Sequence, residues 1–238
     1  MKHIWIYFFS LAFTLVGFSQ EVKTDSIVPK KDRYGLRVGA DLFKLTKSFV
    51  VDDYKGFEIV GDYRFNKKIY IAAEFGNENK TTDEPQLNFT TKGTYLKIGV
   101  DFNAYENWLG MENAITIGLR YGFSTFKQEL ISYRIYTDNP AYPNETIYDP
   151  QEFTGLTAHW AELIVGIKTE VLNNLYLSIN LQLKRKVAED KPNNFDNLYI
   201  PGYNRTYDYS EFGVGYGYSI SYLIPIFKKN KTTEAELK

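Results

Sequence analysis

The residue best suited to acid–base chemistry is His159, because the chain holds 2 histidines and the other, His3, lies in an apolar N-terminal run. A catalytic histidine needs a carboxylate or a nucleophile within hydrogen-bond reach. The nearest acid is Glu162, but residues three apart on a β-strand point to opposite faces, so the two cannot form a dyad. Ala161 stands where a histidine–x–serine pair would have its serine. The sequence therefore predicts a rim histidine and no catalytic residue.

Acidic side chains cluster in three predicted loops, at Asp52-Asp53, Asp83-Glu84 and residues 188–197. Carboxylates at suitable spacing bind calcium, yet none of these clusters has the spacing of an EF-hand loop. We therefore expect solvated loops and predict no metal site and no cofactor.

Two segments, 133–150 and 197–209, combine tyrosine with asparagine, proline and arginine. This composition is typical of binding surfaces, since tyrosine gives a large contact area at low entropic cost. The alternative is that these tyrosines only pack the loops together. The predicted loop binding surface consists of Tyr133, Tyr136, Tyr142, Tyr148, Tyr199, Tyr203, Arg205 and Tyr207.

The elements that must position these loops are alternating segments such as "RYGLRVGADL", residues 33–42. Apolar residues take one parity there, and charged residues and glycines take the other, as in a strand with two different faces. Long links are expected at 44–54, 79–89, 128–153 and 189–210, with shorter links between the other strands, as in outer-membrane barrels. The eight alternating segments are approximately 33–43, 55–66, 69–78, 90–103, 114–127, 154–171, 175–188 and 211–224.

Glycine recurs on the charged parity, for example at Gly35, Gly39 and Gly99. Glycine weakens an exposed strand but relieves crowding on the concave face of a narrow barrel, so the charged parity should line the interior. The apolar parity then covers the exterior, which is tolerable only in lipid. Buried ions must pair, because an unpaired one costs several kcal/mol. The predicted lumen charges are Arg37, Asp41, Glu58, Asp62, Arg64, Glu74, Lys97, Asp101, Arg120, Glu162, Lys168, Glu170 and Lys184.

These patterns predict an all-β fold, namely an eight-stranded antiparallel up-and-down transmembrane β-barrel with a charged, side-chain-filled lumen. A barrel of eight strands has room inside for side chains but not for a water channel, so we expect no pore. The net charge of −1 gives no nucleic-acid footprint.

The N-terminal end predicts export. Residues 4–18 are uncharged and too short for a comfortable span of about 20 residues, which favours a signal peptide over 1–19, cleaved before Gln20. The polar residues 20–32 are predicted to be a flexible periplasmic leader. An exported chain with Cys 0 must obtain its stability without disulfides, and a closed barrel in lipid is one source.

The C-terminal segment "GYSISY", residues 217–222, resembles the signal that the barrel-assembly machinery reads, although further residues follow it. Proline has no N–H to donate, so Pro225 is predicted to end strand pairing. The barrel is assigned to residues 33–228 and a periplasmic C-terminal tail to 229–238.

Four longer segments carry a second, separate resemblance: "KGFEIVGDYRFNKKIYIAAEFGNENKTT", "FNAYENWLGMENAITIGLRYGFSTF", "FTGLTAHWAELIVGIKTEVLNNLYLS" and "NNFDNLYIPGYNRTYD". They are similar to an uncharacterised family of small outer-membrane β-barrel proteins of Gram-negative bacteria, over roughly residues 31–228. The resemblance implies a small barrel in the outer membrane. It implies no activity and no functional residues, since that family has no known function.

The sequence as a whole favours a non-enzymatic protein of the cell outer membrane, either structural or a loop-mediated accessory subunit of an envelope complex. Expected partners are outer-membrane lipid and lipopolysaccharide, the barrel-assembly machinery during biogenesis and, for an accessory subunit, another envelope protein. No nucleic-acid partner is expected. Two alternatives stay open: a lipid A-modifying outer-membrane enzyme, and a secreted lipocalin-like carrier with apolar residues inside and charges outside.

Overall fold

Eight long strands, three short strands and one helix make up the described chain. The computed structural model describes residues 32–105, 112–135, 145–193, 196–207 and 209–229. The predicted signal peptide, the leader up to Lys31 and the tail from Asn230 onward lie outside these residues. The elements in chain order are β1 (Asp32–Asp41), α1 (Leu42–Val50), β2 (Tyr54–Arg64), β3 (Ile69–Glu84), β4 (Leu87–Asn103), β5 (Ala114–Arg134), β6 (Thr146–Ile147), β7 (Gln151–Leu172), β8 (Leu175–Glu189), β9 (Tyr199–Ile200), β10 (Asn204–Arg205) and β11 (Phe212–Lys229).

The eight long strands close into a ring. They pair antiparallel in the order β1-β2-β3-β4-β5-β7-β8-β11, and β11 pairs with β1 to complete the circle. The short β6 adds to β5, and β9 pairs with β10 in a separate hairpin. The predicted eight-stranded antiparallel up-and-down barrel is confirmed.

The two ends of the ring carry different connections. One end, which we call the mouth, holds α1, the β3–β4 turn and the described residues between 190 and 211. The opposite end, the base, holds Asp32, Lys229 and the short turn between β7 and β8.

The two parities of each strand face opposite sides of the barrel wall. Lys97 and Glu58 expose only 1% and 3% of their surface, whereas their neighbours Ile98 and Phe57 expose 53% and 40%. The lumen is therefore charged and filled with side chains, and the exterior is apolar. This excludes the lipocalin-like carrier, which needs an apolar interior to hold its ligand.

The outward apolar residues form a belt around the barrel. On β5 the belt runs from Ile115 to Phe123, close to the roughly 9–11 residues that a tilted strand needs to cross a membrane. Toward the mouth, the outward positions of β5 become polar at Thr125 and Lys127. On β3 the belt ends at Phe75. Among the described residues, no helix is long and apolar enough to span a membrane.

Helix α1, Leu42–Val50, covers the first part of the predicted long link 44–54 and begins in the last two residues of the predicted segment 33–43. The carboxylate of Asp41 accepts a hydrogen bond from the backbone N–H of Lys44 at 2.7 Å and thereby caps the helix. An aspartate that looked like one more lumenal charge is thus also the residue that begins the helix.

The predicted long link 79–89 is instead a two-residue turn. Strands β3 and β4 stay paired as far as Glu84 and Leu87, which leaves only Pro85 and Gln86 between them. The hydrophobic alternation stops earlier, but the threonines of both segments favour extended backbone, so pairing continues beyond the belt.

The prediction that Pro225 ends strand pairing is wrong, because β11 continues to Lys229 along β1. Gly35 lies opposite Pro225, and the register shifts at that point, as at a β-bulge. On its other side, β11 has already passed the end of β8, whose last pair joins Tyr222 and Leu175. Proline is tolerated there because only one neighbouring strand remains.

Candidate functional site

At the base, Arg33 joins distant parts of the chain. Its guanidinium approaches Glu170 at 2.6 Å and Glu112 at 3.2 Å. Arg64 lies on the same level and faces Asp32 at 3.8 Å. Arg64 and Glu170 were predicted as lumen charges, whereas Arg33 and Glu112 were not, although the parity of Arg33 already indicated an inward side chain.

In the middle of the lumen, carboxylates and cations alternate across the barrel. Asp62 lies 2.7 Å from Arg37 and 2.6 Å from Lys168, which come from different strands. Arg120 lies 2.7 Å from Asp101. These five predicted lumen residues are thus brought together as a network. In a buried network of this kind, removing one partner costs about 3–5 kcal/mol.

Closer to the mouth, Lys97 bridges two acids. It pairs with Glu74 and lies 3.2 Å from Glu58. A second cation, Lys44 of α1, approaches Glu58 at 3.0 Å. Lys44 was missed because it falls in a predicted loop, where alternation gives no signal for direction.

Two of the three remaining predicted lumen residues form a pair beside Trp160, the only tryptophan among the described residues. Lys184 lies 3.4 Å from Glu162, and the indole N–H of Trp160 donates to the same carboxylate at 2.7 Å. Asp41 is buried but makes no ion pair within the described part of the chain, since it caps α1.

The space left in this network is small. A cavity of about 50 Å³ lies among Arg37, Asp62 and Asn180, which is room for a few water molecules. This cavity is too small to hold a ligand larger than a few water molecules.

At the mouth, Glu78 of β3 holds the segment 197–203 against the barrel. The hydroxyl of Tyr199 donates to its carboxylate at 2.7 Å, the backbone N–H of Gly202 at 3.0 Å and the hydroxyl of Tyr54 at 3.0 Å. Lys44 adds an ion pair at 2.6 Å. We call this set of contacts the Glu78 clamp.

The Glu78 clamp depends on charge. Burial by itself raises the pKa of Glu78, but the charge of Lys44 and the donated hydrogen bonds outweigh it and lower the pKa to about 2. Glu78 lies beyond the belt, toward the mouth. It was not predicted, because the segment that carries it looks polar on both faces.

Two tyrosines of the predicted binding surface are not exposed. Tyr199 and Tyr203 retain 8% and 1% of their surface. Tyr199 is held by the Glu78 clamp, and the ring of Tyr203 packs edge-on against Trp160 at 6.0 Å. Their assignment to an open surface is wrong, since the barrel mouth supplies both an acid and an aromatic partner that draw the segment inward.

Gly202 allows this inward fold. Its φ is +82°, and a Cβ atom there would lie 2.6 Å from the ring of Tyr95. Only glycine combines this backbone conformation with so close an approach. The carbonyl of Gly202 also accepts from Lys184 at 2.6 Å, which joins the segment to the lumen network.

The other residues of the predicted surface fall into three groups. Tyr148 and Tyr207 are exposed, at 77% and 37%, and Arg205 is exposed with its guanidinium 5.6 Å from the Tyr207 ring. Tyr133 is half-buried. Tyr136 and Tyr142 lie outside the described residues.

A cavity of about 610 Å³ opens at the mouth, between α1, the ends of β3 and β4, and the segment 198–209. Its volume falls in the range of small-molecule sites. We call it the mouth cavity. Its aromatic lining consists of Phe43, Tyr54, Phe89, Tyr199, Tyr207, Tyr209 and Tyr216.

Three cations of the mouth cavity, Lys47, Lys80 and Arg205, make no ion pair with any carboxylate of the described chain. Lys47 instead lies over the ring of Tyr54, 4.1 Å from its centroid, and burial lowers its pKa. The mouth cavity can therefore offer positive charge and aromatic surface together, a combination suited to an anionic ligand.

His159 lies on the outer face of β7, away from the mouth cavity. Its Nδ1 is 2.9 Å from the hydroxyl of Tyr121, and its ring packs against Phe123. Glu162 points into the lumen, so the two do not meet. Within the described ranges, no group of three or more histidine or acidic residues could hold a metal ion.

Fold and site together define a closed eight-stranded β-barrel protein with an ion-paired interior and a basic, aromatic cavity at its mouth. The chain belongs to the family described as "Domain of unknown function (DUF6048)", whose model matches residues 1–229. No curated protein matches the chain. Among solved structures it is similar to the crystal structure of Ail, the attachment invasion locus protein of Yersinia pestis, with a TM-score of 0.41 and 10% identity, covering 81% of this chain and 98% of that one.

Proposed function

We propose that this protein is a non-enzymatic β-barrel of the bacterial outer membrane that binds a partner or ligand at its mouth. The observation that carries the membrane assignment is the direction in which the two faces of each strand point. Charged residues such as Lys97 are enclosed, and the belt exposes residues such as Ile98 and Leu119 at 53% and 60%. A continuous apolar exterior of this kind is stable in lipid and not in water.

The mouth is proposed to face the outside of the cell. The described chain begins and ends at the base, and outer-membrane barrels keep short turns on the periplasmic side and longer connections outside. In this orientation, Lys92 and Lys127 lie in register on adjacent strands just beyond the belt, at the level of the lipid headgroups.

Binding at the mouth is supported by what is exposed there. Tyr148, Tyr209 and Phe49 expose 77%, 87% and 86% of their surface at this end of the barrel, and Tyr209 lines the cavity of about 610 Å³. Exposed aromatic side chains are costly in water and are typical of recognition surfaces. The size of the mouth cavity, about 610 Å³ against about 50 Å³ for the cavity in the middle of the lumen, supports the mouth as the binding site.

Single-cysteine labelling tests the orientation cleanly, because the chain has Cys 0. Tyr148→Cys at the mouth and Lys68→Cys at the base, both at exposed positions, are treated with a membrane-impermeant maleimide on intact cells. We expect Tyr148→Cys to be labelled in intact cells and Lys68→Cys only after permeabilisation. The reverse pattern contradicts the orientation, and recovery in a soluble fraction without heat-modifiable migration contradicts the membrane assignment.

A further inference from the structure

The barrel wall is incomplete at the mouth, because β1 is shorter than its neighbours. Its pairing with β11 stops at Asp41 opposite Ser219, and its pairing with β2 stops at Ala40 opposite Ile59. The first seven residues of β11, 212–218, therefore have no strand on that side. At about 3.4 Å per residue, this free edge is roughly 20 Å long.

Helix α1 occupies the gap but is bonded to one side of it only. Ser48 exchanges hydrogen bonds with the backbone of Gly56 on β2, both at 2.7 Å. Toward β11, α1 makes a ring contact between Phe43 and Tyr216, with centroids 4.6 Å apart. No hydrogen bond in the described chain joins α1 to residues 212–218 of β11. We call this boundary the α1–β11 seam.

The mouth cavity reaches the α1–β11 seam. Val214, Gly215 and Tyr216 all line it, although consecutive residues of a strand face opposite sides of the wall. The cavity therefore extends to the free edge of β11, where the outward side chains of Val214 and Tyr216 are exposed.

The two sides of the α1–β11 seam differ in polarity. On the outside, Val214 and Tyr216 expose 76% and 59% of their surface at the belt. On the inside lie Lys47, Lys80 and Arg205. Of the lining acids, Glu78 is already satisfied by its clamp and Asp41 by the cap of α1. The third, Glu84, is exposed.

We propose that the α1–β11 seam admits an anionic lipid of the surrounding membrane. Its phosphorylated headgroup lies in the mouth cavity beside Lys47 and Arg205, and its acyl chains pass out over Val214 and Tyr216. Charge complementarity selects the headgroup, and the lateral opening allows the chains to remain in the bilayer. The inference rests on the proposed membrane location and specifies a ligand class for the mouth.

Native mass spectrometry of the full chain in zwitterionic detergent tests this. Phosphatidylglycerol is compared with phosphatidylcholine of the same acyl chains and with glycerol phosphate. We expect retention of phosphatidylglycerol alone, and at least a tenfold loss of it in a Lys47→Glu/Arg205→Glu double variant. The control is Lys92→Glu/Lys127→Glu, which makes the same charge change outside the cavity, also breaks the ion pair of Lys127 with Glu152 at 2.6 Å, and should retain the lipid within twofold.

A second pair of variants tests the passage itself. Val214→Cys, alkylated with a bulky maleimide, should lose phosphatidylglycerol, whereas alkylated Ile226→Cys, on the outer face of the same strand near the base, should keep it. Equal binding of glycerol phosphate, or full lipid retention by alkylated Val214→Cys, overturns the proposal. So does equal loss in the Lys92→Glu/Lys127→Glu control.

Membrane insertion is scored on the same preparations by heat-modifiable migration. A barrel that inserts but retains no phosphatidylglycerol refutes the lipid inference and leaves the proposed function standing. A chain that does not insert refutes the proposed function itself.

Discussion

In the middle of the barrel, Arg37 and Arg120 each lie 2.7 Å from a carboxylate, whereas at the mouth Lys47 and Lys80 form no ion pair in the described chain. The free space differs in the same direction, about 50 Å³ in the middle against about 610 Å³ at the mouth. Cationic side chains therefore have two different roles in this barrel. In the middle, where they are ion-paired and closely packed, they stabilise the barrel. At the mouth, where they form no ion pair and are accessible, they are available to a ligand.

The sharpest test of this contrast removes one cation from each region. Lys97→Met leaves Glu58 and Glu74 buried with one partner fewer, and we expect a loss of about 3–5 kcal/mol in the free energy of unfolding. Lys47→Met at the mouth should change it by no more than about 0.5 kcal/mol. Urea unfolding of both variants in detergent micelles measures the difference. Equal losses would show that the mouth is as tightly integrated as the middle.

The Glu78 clamp lies between these extremes. Glu78→Gln keeps the shape of the side chain but removes the charge that pairs with Lys44 and accepts from Tyr199. We expect a local loss of about 1–3 kcal/mol, seen as faster hydrogen exchange of the amides in segment 197–205. Glu84→Gln, at an exposed position of the same strand, is the control and should leave that exchange unchanged.

The same clamp predicts an acid transition. The folded pKa of Glu78 is about 2, below the ordinary 4.5, so its contribution is present above about pH 4.5 and is lost as the pH falls through 2. Hydrogen exchange of segment 197–205 should therefore accelerate in acid beyond its intrinsic pH dependence. The acid step should be absent in Glu78→Gln, and its persistence there would assign it to another group.

A smaller effect is expected from two glycines with positive φ. Gly202→Ala and Gly155→Ala share the backbone cost of about 1–2 kcal/mol, since their φ values are +82° and +70°. The added methyl of Gly202→Ala also meets the Tyr95 ring, whereas nothing lies within 4 Å at Gly155. Thermal unfolding should rank Gly202→Ala as the less stable variant. The opposite ranking would place segment 197–203 outside the barrel mouth.

The smallest expected effect concerns the outer face of the wall. His159→Ala removes a contact with Tyr121 but no carboxylate partner, so lipid A mass spectra from cells with and without the substitution should be identical. A lipid A species that depends on His159 would instead establish the enzymatic alternative.

The alternation of apolar and polar residues predicted which way most strand side chains point, because burial repeats every two residues in a strand that has one buried face. It placed Arg37 and Lys97 correctly inside and Ile98 outside. It missed Lys44, which falls in the predicted link 44–54, and Glu78, the last residue of the predicted segment 69–78; α1 and a prolonged β3 bring the two together. Pairing that is sustained by threonines rather than by burial leaves no periodic signal.

Composition alone misled at the tyrosines. Tyr148 and Tyr199 look alike in the sequence, and one is 77% exposed while the other retains 8%. Their surroundings differ through Glu78, which is remote in the sequence, so no local pattern separates them. Proline was likewise misread at Pro225, where the decisive fact is that the neighbouring strand has already ended.

The brevity of β1 has a mechanical consequence. Only five residue pairs, Leu36 to Ala40 on one strand and Ile59 to Tyr63 on the other, join β1 to β2. Each backbone hydrogen bond contributes a net stabilisation of about 0.5–1.5 kcal/mol, so backbone pairing is weakest between β1 and β2, and the buried Arg37–Asp62 ion pair at 2.7 Å is a main further link between them. Under tension, β1 and β2 should therefore be the first pair of strands to separate, and the barrel should open from that point.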